Sequence, residues 1–278
     1  MYRSLISPER LQAALADPHC VVIDCRYDLA DTGAGRRAYL EGHIPGAIYA
    51  HLHDDLSGPT GAGGGRHPLP TPARLIEVFS RFGIDGAAQI VAYDDASGSM
   101  AARLWWLLRY MGHERVAVLD GGWSAWKGAD FATESGPAAG PAPRRFQGEP
   151  QRHMLVTVDE VPSAGLLIDS REPPRYRGEI EPLDPIAGHI PGARNRYWKS
   201  NLDEHGRFRP SAALRRDLQS VFAGRDPAAV TFYCGSGVTA CHNLLAAVHA
   251  GLAMPRLYAG SWSEWCADPA RPVARGSE

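Results

Sequence analysis

Cysteine is scarce in this sequence, and nothing in its placement suggests a framework. Five occur among 278 residues, at positions 20, 25, 234, 241 and 266. The number is odd and there is no Cys-x-x-Cys pair, which argues against a disulfide scaffold or a zinc cluster. A reducing, cytoplasmic setting fits such usage best. Long apolar runs are also missing, so no stretch has the length of a membrane span. Residues Met1 to Glu9 lack the apolar core of a secretory signal. Nor does one sign of charge dominate. Lys and Arg number 29 against 31 Asp and Glu, a formal net charge of −2, which points away from nucleic acid and from an anionic membrane surface as partners. What remains is an ordinary globular composition, 44% hydrophobic and 22% charged, in a chain long enough for two domains.

One stretch organises the rest: Val230-Thr231-Phe232-Tyr233-Cys234-Gly235-Ser236-Gly237-Val238-Thr239-Ala240-Cys241. A short β-type apolar run, Val230 to Tyr233, breaks at Cys-Gly-Ser-Gly and continues as a helical pattern from Thr239 to His249. A strand turning through glycines straight into a helix aims its backbone N–H groups at one point and favours an anion there. The residue at that point is Cys234, so the turn predicts a lowered thiol pKa and a reactive thiolate. Gly235 and Gly237 permit backbone angles closed to other residues. Ser236 and Thr239 add hydroxyl donors.

The chain reads as a duplication. Asp24-Cys25-Arg26 returns as Asp169-Ser170-Arg171, 145 positions on, and Gly42-His43-Ile44-Pro45-Gly46-Ala47 returns as Gly188-His189-Ile190-Pro191-Gly192-Ala193, 146 positions on. Tyr93 corresponds to Tyr233, and Trp123 and Trp126 correspond to Trp262 and Trp265. Four landmarks in one order indicate two copies of one domain. Helices are expected at the Ser7-Pro8 start, at 72–82 and at 100–111, with strands at 20–24, 89–93 and 115–119. Residues 39–47 read as a loop, and the Gly- and Pro-rich stretch 54–71 as an irregular excursion. Short strands alternating with helices imply, in each copy, a mostly parallel sheet flanked by helices: an α/β fold. The divisions are 1–135, a linker at 136–152 poor in large apolar residues, and 153–278. Where the second copy has Cys234 the first has Asp94, which cannot carry transferable sulfur. The first copy is therefore predicted to be catalytically silent.

With Asp-x-Arg, Gly-His-Ile-Pro-Gly-Ala and the tryptophan pairs present twice, and Cys-Gly-Ser-Gly-Val-Thr-Ala once, the chain resembles the tandem-domain rhodanese sulfurtransferases over almost its whole length. The loop is most similar to that of the 3-mercaptopyruvate sulfurtransferases. Thiosulfate-preferring members usually carry basic residues just after the cysteine, where this chain has Gly235 and Ser236. The resemblance implies two-step covalent catalysis by Cys234, through a persulfide, from a small sulfur donor to a thiol acceptor such as thioredoxin or a low-molecular-weight dithiol. It implies no metal and no organic cofactor. The N–H groups of Gly235, Ser236, Gly237, Val238 and Thr239 would cradle the sulfur. Arg175, in Arg-Tyr-Arg-Gly, matches the family's substrate-binding arginine, and a guanidinium suits a carboxylate. The alternative for Arg175 is a surface ion pair; Arg177 is the lesser candidate. A second arginine that the mercaptopyruvate enzymes often carry is missing from Glu181 to Pro185. His43 matches a histidine that in some of these enzymes reaches the loop serine, Ser236, with Asp31 the nearest carboxylate. Equally, His43 and His189 could each serve their own Pro-Gly turn. Asp24 with Arg26, and Asp169 with Arg171, read as pairs that hold strand ends, and the tryptophans as packing.

Two other functions fit parts of the pattern. A cysteine-dependent phosphatase needs an arginine at position 240, where this chain has Ala240. A sulfur-carrier module without turnover would sooner show a degenerate loop. Thiosulfate remains the alternative donor. Cys234→Ser is expected to abolish sulfur transfer to cyanide, while Cys241→Ala, two helical turns further on, retains most of it. Intact-mass measurement after exposure to a donor should find one added sulfur in Cys241→Ala. Sulfur loading that survives Cys234→Ser would overturn the assignment.

Overall fold

A computed structural model of the chain describes residues 1–61 and 63–277. They form two compact units, each built on one sheet. The first comprises Met1–Ser57, Pro70–Gln151 and Glu204–Arg207; the second comprises Gly58–Leu69, Arg152–Asp203 and Phe208–Glu278. Each unit thus contains a short segment from the other half of the sequence. Among the described residues, no helix is long and apolar enough to cross a membrane.

In the first unit the elements run β1 (Leu5–Ile6), α1 (Pro8–Ala14), β2 (Cys20–Asp24), α2 (Ala34–Glu41), β3 (Ile48–Tyr49), α3 (Pro72–Arg81), β4 (Gln89–Tyr93), α4 (Ala101–Tyr110), β5 (Val116–Leu119) and α5 (Gly122–Gly128). Ser7 and Thr71 cap α1 and α3 by accepting from the N–H of Arg10 and Arg74, each with proline in the first turn. The sheet is parallel throughout, in the order β1-β5-β4-β2-β3. One helix differs from the expected loop. α2 covers Tyr39 to Glu41, and it begins beside Gly35, whose hydrogen faces the Arg26 carbonyl; a Cβ there would stand 1.8 Å from that oxygen. The missing side chain at Gly35 is what lets this helix approach the strand end.

The second unit repeats the plan: β6 (Leu155–Val156), β7 (Leu167–Asp169), α6 (Pro173–Tyr176), β8 (Arg194–Asn195), α7 (Ser211–Phe222), β9 (Thr231–Tyr233), α8 (Ala240–His249), β10 (Arg256–Tyr258) and α9 (Ser261–Trp265). Its strands are also parallel, in the order β6-β10-β9-β7-β8. The cores match residue for residue. Ile44, Ala47, Tyr93, Trp123 and Trp126 pack in one; Ile190, Ala193, Tyr233, Trp262 and Trp265 pack in the other. The Asp-x-Arg motif works identically in both units. Arg26 grips Asp24 and the Gly42 carbonyl, and Arg171 grips Asp169 and the Gly188 carbonyl, with each guanidinium lying over a tryptophan, Trp123 or Trp262. These buried, bidentate pairs tie a strand end to the Pro-Gly turn. Residues 136–151 have no regular structure but stay with the first unit, where Phe146 is buried edge-on against Phe79.

The middle strand of each sheet, β4 or β9, ends where a turn leads into the next long helix, the position at which open α/β sheets bind ligands. In the first unit Asp94 fills that turn. Its Oδ1 accepts from the N–H of Ala96 and Gly98 at 2.9 and 2.8 Å, and its Oδ2 from Met100 and Ala101, both at 2.8 Å. Asp94→Asn would set an amide group against converging donors. It is expected to destabilise the first unit by about 2–4 kcal/mol, because buried N–H groups lose a charged acceptor. Urea denaturation read on that unit's tryptophans checks this, and an unchanged midpoint would contradict it.

Candidate active site

The equivalent turn of the second unit carries Cys234. Its N–H donates to Ser261 Oγ at 3.1 Å, its carbonyl accepts from Trp262 N at 3.0 Å, and the Gly235 carbonyl accepts from Ser263 N at 2.9 Å. The loop is thereby stitched to the start of α9. Gly237 lies at φ +75°, and a Cβ on it would stand 2.1 Å from the Ala259 carbonyl, so both angle and space demand glycine. Cys234 and Ser236 are buried in the turn, Val238 is buried beside them, and Thr239 directly precedes α8. Cys241 lies underneath, wholly buried, its Sγ 3.4 Å from the Gly237 carbonyl oxygen. Elsewhere burial works against thiolates. It pushes Cys20 and Cys266 up to about 11 and Cys25 well above its ordinary value.

Arg175 is at this loop, and it is not a surface ion pair. It projects from α6, the single helical turn opened by Pro173. Its Nη1 and Nη2 both lie 3.7 Å from where a Cβ of Gly235 would be. Its other partners are acidic: Nη2 meets Glu181 Oε1 at 2.5 Å and Asp184 Oδ2 at 3.3 Å, and Nε meets Glu181 Oε2 at 3.2 Å. Arg177, by contrast, pairs with Glu179 in the open. A second guanidinium arrives from a stretch read as an irregular excursion. Arg66, in the Gly58–Leu69 segment, places Nη2 3.2 Å from the same Gly235 Cβ position and bonds Asp184 Oδ1 through Nη1 at 2.5 Å. The loop therefore does have cations at its rim, although its own sequence supplies none.

The neighbouring residue corrects the histidine assignment. His67 Nδ1 and Ser236 Oγ are 2.7 Å apart, and both residues are buried. His43 instead belongs to its own turn: its ring stacks on Tyr39 at 4.2 Å and its Nδ1 is 2.8 Å from the Tyr39 carbonyl oxygen. His189 repeats this on Tyr176, at 3.8 Å and 2.8 Å. The paired geometry is the physical reason for the duplicated histidine. Asp31 is committed elsewhere too, to Arg37 and to the Gly33 N–H at the start of α2. Arg66 and His67 are held by a strap fixed to α9, where Glu264 Oε1 accepts from Gly64 N at 2.9 Å and Ser263 Oγ from Arg66 N at 3.0 Å. Three glycines followed by Arg-His-Pro, with Gly65-Arg66 returning as Gly206-Arg207 at an offset of 141, were the available signal for this strap.

A protein-family model for the rhodanese-like domain matches residues 7–129 and 156–268. The chain belongs to the rhodanese family. It is a tandem-domain member, and it is 47% identical over 98% of each chain to a Pseudomonas aeruginosa protein named "Probable 3-mercaptopyruvate sulfurtransferase". It is 31% identical to the thiosulfate sulfurtransferase of Rattus norvegicus, over 99% of this chain and 97% of that one. Among solved structures it resembles the 3-mercaptopyruvate sulfurtransferase of Leishmania major, with a TM-score of 0.86 and 33% identity over 95% of this chain and 74% of that chain.

The two loop glycines of this rhodanese are held for different reasons, and their replacement separates them. Gly237→Ala is expected to destabilise the second unit by about 2–4 kcal/mol, through positive φ and a backbone clash. Gly235→Ala meets only the ends of two flexible arginines and should cost under about 1 kcal/mol. Equal shifts in thermal midpoint for the two variants would refute this reading.

Proposed function

We propose that this rhodanese is a 3-mercaptopyruvate sulfurtransferase working through a Cys234 persulfide. The Cys234 thiolate attacks the donor sulfur and forms an S–S bond. The donor's C–S bond breaks, and its electron pair leaves with carbon as the enolate of pyruvate, which then takes a proton. A thiol acceptor, such as thioredoxin or a small dithiol in the cytoplasm, attacks the outer sulfur and releases the thiolate. The observation that carries the donor assignment is the contact between Ser236 Oγ and His67 Nδ1, 2.7 Å, beside the nucleophile. A carbon leaving group needs a proton, and Ser236 resupplied by His67 is a buried source of one. The donor's carboxylate, several bonds from its sulfur, suits Arg175 and Arg66 at the rim.

A thiosulfate donor is the second reading, and one observation favours it: two guanidiniums flank Gly235, where departing sulfite would gather charge. The two donors make different demands on the Ser236–His67 pair, because sulfite leaves without needing a proton. Ser236→Ala and His67→Gln are each expected to lower kcat with 3-mercaptopyruvate by about 10²-fold. Turnover of thiosulfate to cyanide should fall much less. Wild-type kcat/KM should be higher with 3-mercaptopyruvate. A wild-type preference for thiosulfate, with both donors impaired equally by the substitutions, would defeat the donor assignment and leave Cys234 as nucleophile untouched.

A further inference from the structure

Two buried acids stand where a site for an anionic donor would be expected to hold only cations. Glu181 and Asp184 each have side chains only 3% exposed. Glu181 is fixed by its own turn, its Oε1 accepting from the N–H of Leu183 and Asp184 at 3.1 and 3.2 Å, while Oε2 meets Arg171 Nη1 at 3.2 Å. Asp184 bridges the rim arginines, with Oδ1 on Arg66 and Oδ2 on Arg175. With Asp169 on Arg171, three guanidiniums face three carboxylates. The cluster beside the loop is formally neutral before any donor arrives.

We infer that Glu181 and Asp184 are specificity-determining residues, which cancel the charge of Arg66 and Arg175 while leaving them free to donate hydrogen bonds, so that the site accepts a monoanionic donor and disfavours a dianionic one. This deepens the donor assignment above and rests on it. Hydrogen-bonding capacity and charge are separable in a guanidinium, because its five N–H groups fan out in a plane. Those bound to the acids are Arg175 Nε and Nη2 and Arg66 Nη1. Arg175 Nη1 and Arg66 Nη2 remain beside Gly235, and Arg66 Nε is buried with no hydrogen-bond partner. Donors are therefore left over for one carboxylate. Net charge is not: a monoanion brings the cluster to one negative charge and thiosulfate brings it to two. In a pocket this buried, the second charge is repelled with little screening.

Charge-deleting variants of nearly unchanged shape test this. With Glu181→Gln or Asp184→Asn, the kcat/KM for thiosulfate relative to that for 3-mercaptopyruvate should rise about fivefold or more. Glu181→Asp, which keeps the charge, should leave the ratio near the wild-type value. If both donors lose activity in parallel in Glu181→Gln and Asp184→Asn, the acids merely position the arginines and the inference fails. The unsubstituted protein gives an independent arm should a variant not fold. Pyruvate, a monoanion, should inhibit mercaptopyruvate turnover more strongly than malonate, a dianion of similar size; equal or tighter inhibition by malonate would overturn the inference. The wild-type donor preference is read separately, so a failure of the donor assignment is not confused with a failure of the charge filter.

Discussion

A strand that passes directly into a helix leaves several backbone N–H groups aimed at one point, and something must accept from them. The chain meets that requirement twice with different chemistry. In the first unit a carboxylate occupies the point permanently, with Asp94 accepting four backbone N–H bonds. In the second unit the corresponding residue is Cys234, in a turn one residue shorter, where Gly237 lies at φ +75° and α8 begins at Ala240. The first unit displays what the turn prefers to hold: a small anion at the end of the middle strand. A thiolate or a persulfide is such an anion.

The cradle is indifferent to the donor; the rim is not. Two segments distant in sequence meet beside Gly235: residues 173–184, with Arg175, Glu181 and Asp184, and the strap carrying Arg66 and His67. Glycine at 235 leaves room for both guanidiniums, whose nearest atoms stand 3.2 and 3.7 Å from the vacant Cβ position. Each ion pair taken singly would be a modest contributor to stability, and a buried one can even be unfavourable against an apolar replacement. A buried network of this size is better explained by what it does to the potential at the loop than by what it adds to folding.

Much of this was legible in the sequence, because it depends on local spacing. Repeated Asp-x-Arg and Gly-His-Ile-Pro-Gly-Ala reveal the duplication, and the break from Tyr233 into Cys-Gly-Ser-Gly locates the turn. Arg175 is found because Arg-Tyr-Arg-Gly matches the stretch that holds the family's substrate-binding arginine. Arg66 and His67 are hidden because they lie in a glycine-rich segment whose conformation is set by contacts to Ser263 and Glu264 about two hundred positions away. His43 misleads for the opposite reason. It stands in a conspicuous motif, yet its ring is consumed by Tyr39, as His189 is by Tyr176. A motif present in both copies, when only one copy has Cys234, belongs to what the copies share: the fold.

The strap is part of an exchange of segments between the two halves of the sequence. Gly58–Leu69 leaves the first half of the chain to join the second unit, and Glu204–Arg207 makes the reciprocal exchange. Residues 152–278 alone contain Cys234, Arg175, Glu181 and Asp184, but neither the guanidinium of Arg66 nor the imidazole that faces Ser236. Without Arg66, Arg175 and Arg171 would be left to face Glu181 and Asp184. Without His67, the 2.7 Å contact to Ser236 Oγ is absent. The second half of the sequence therefore holds Cys234 without Arg66 and His67, and the first half supplies those two side chains.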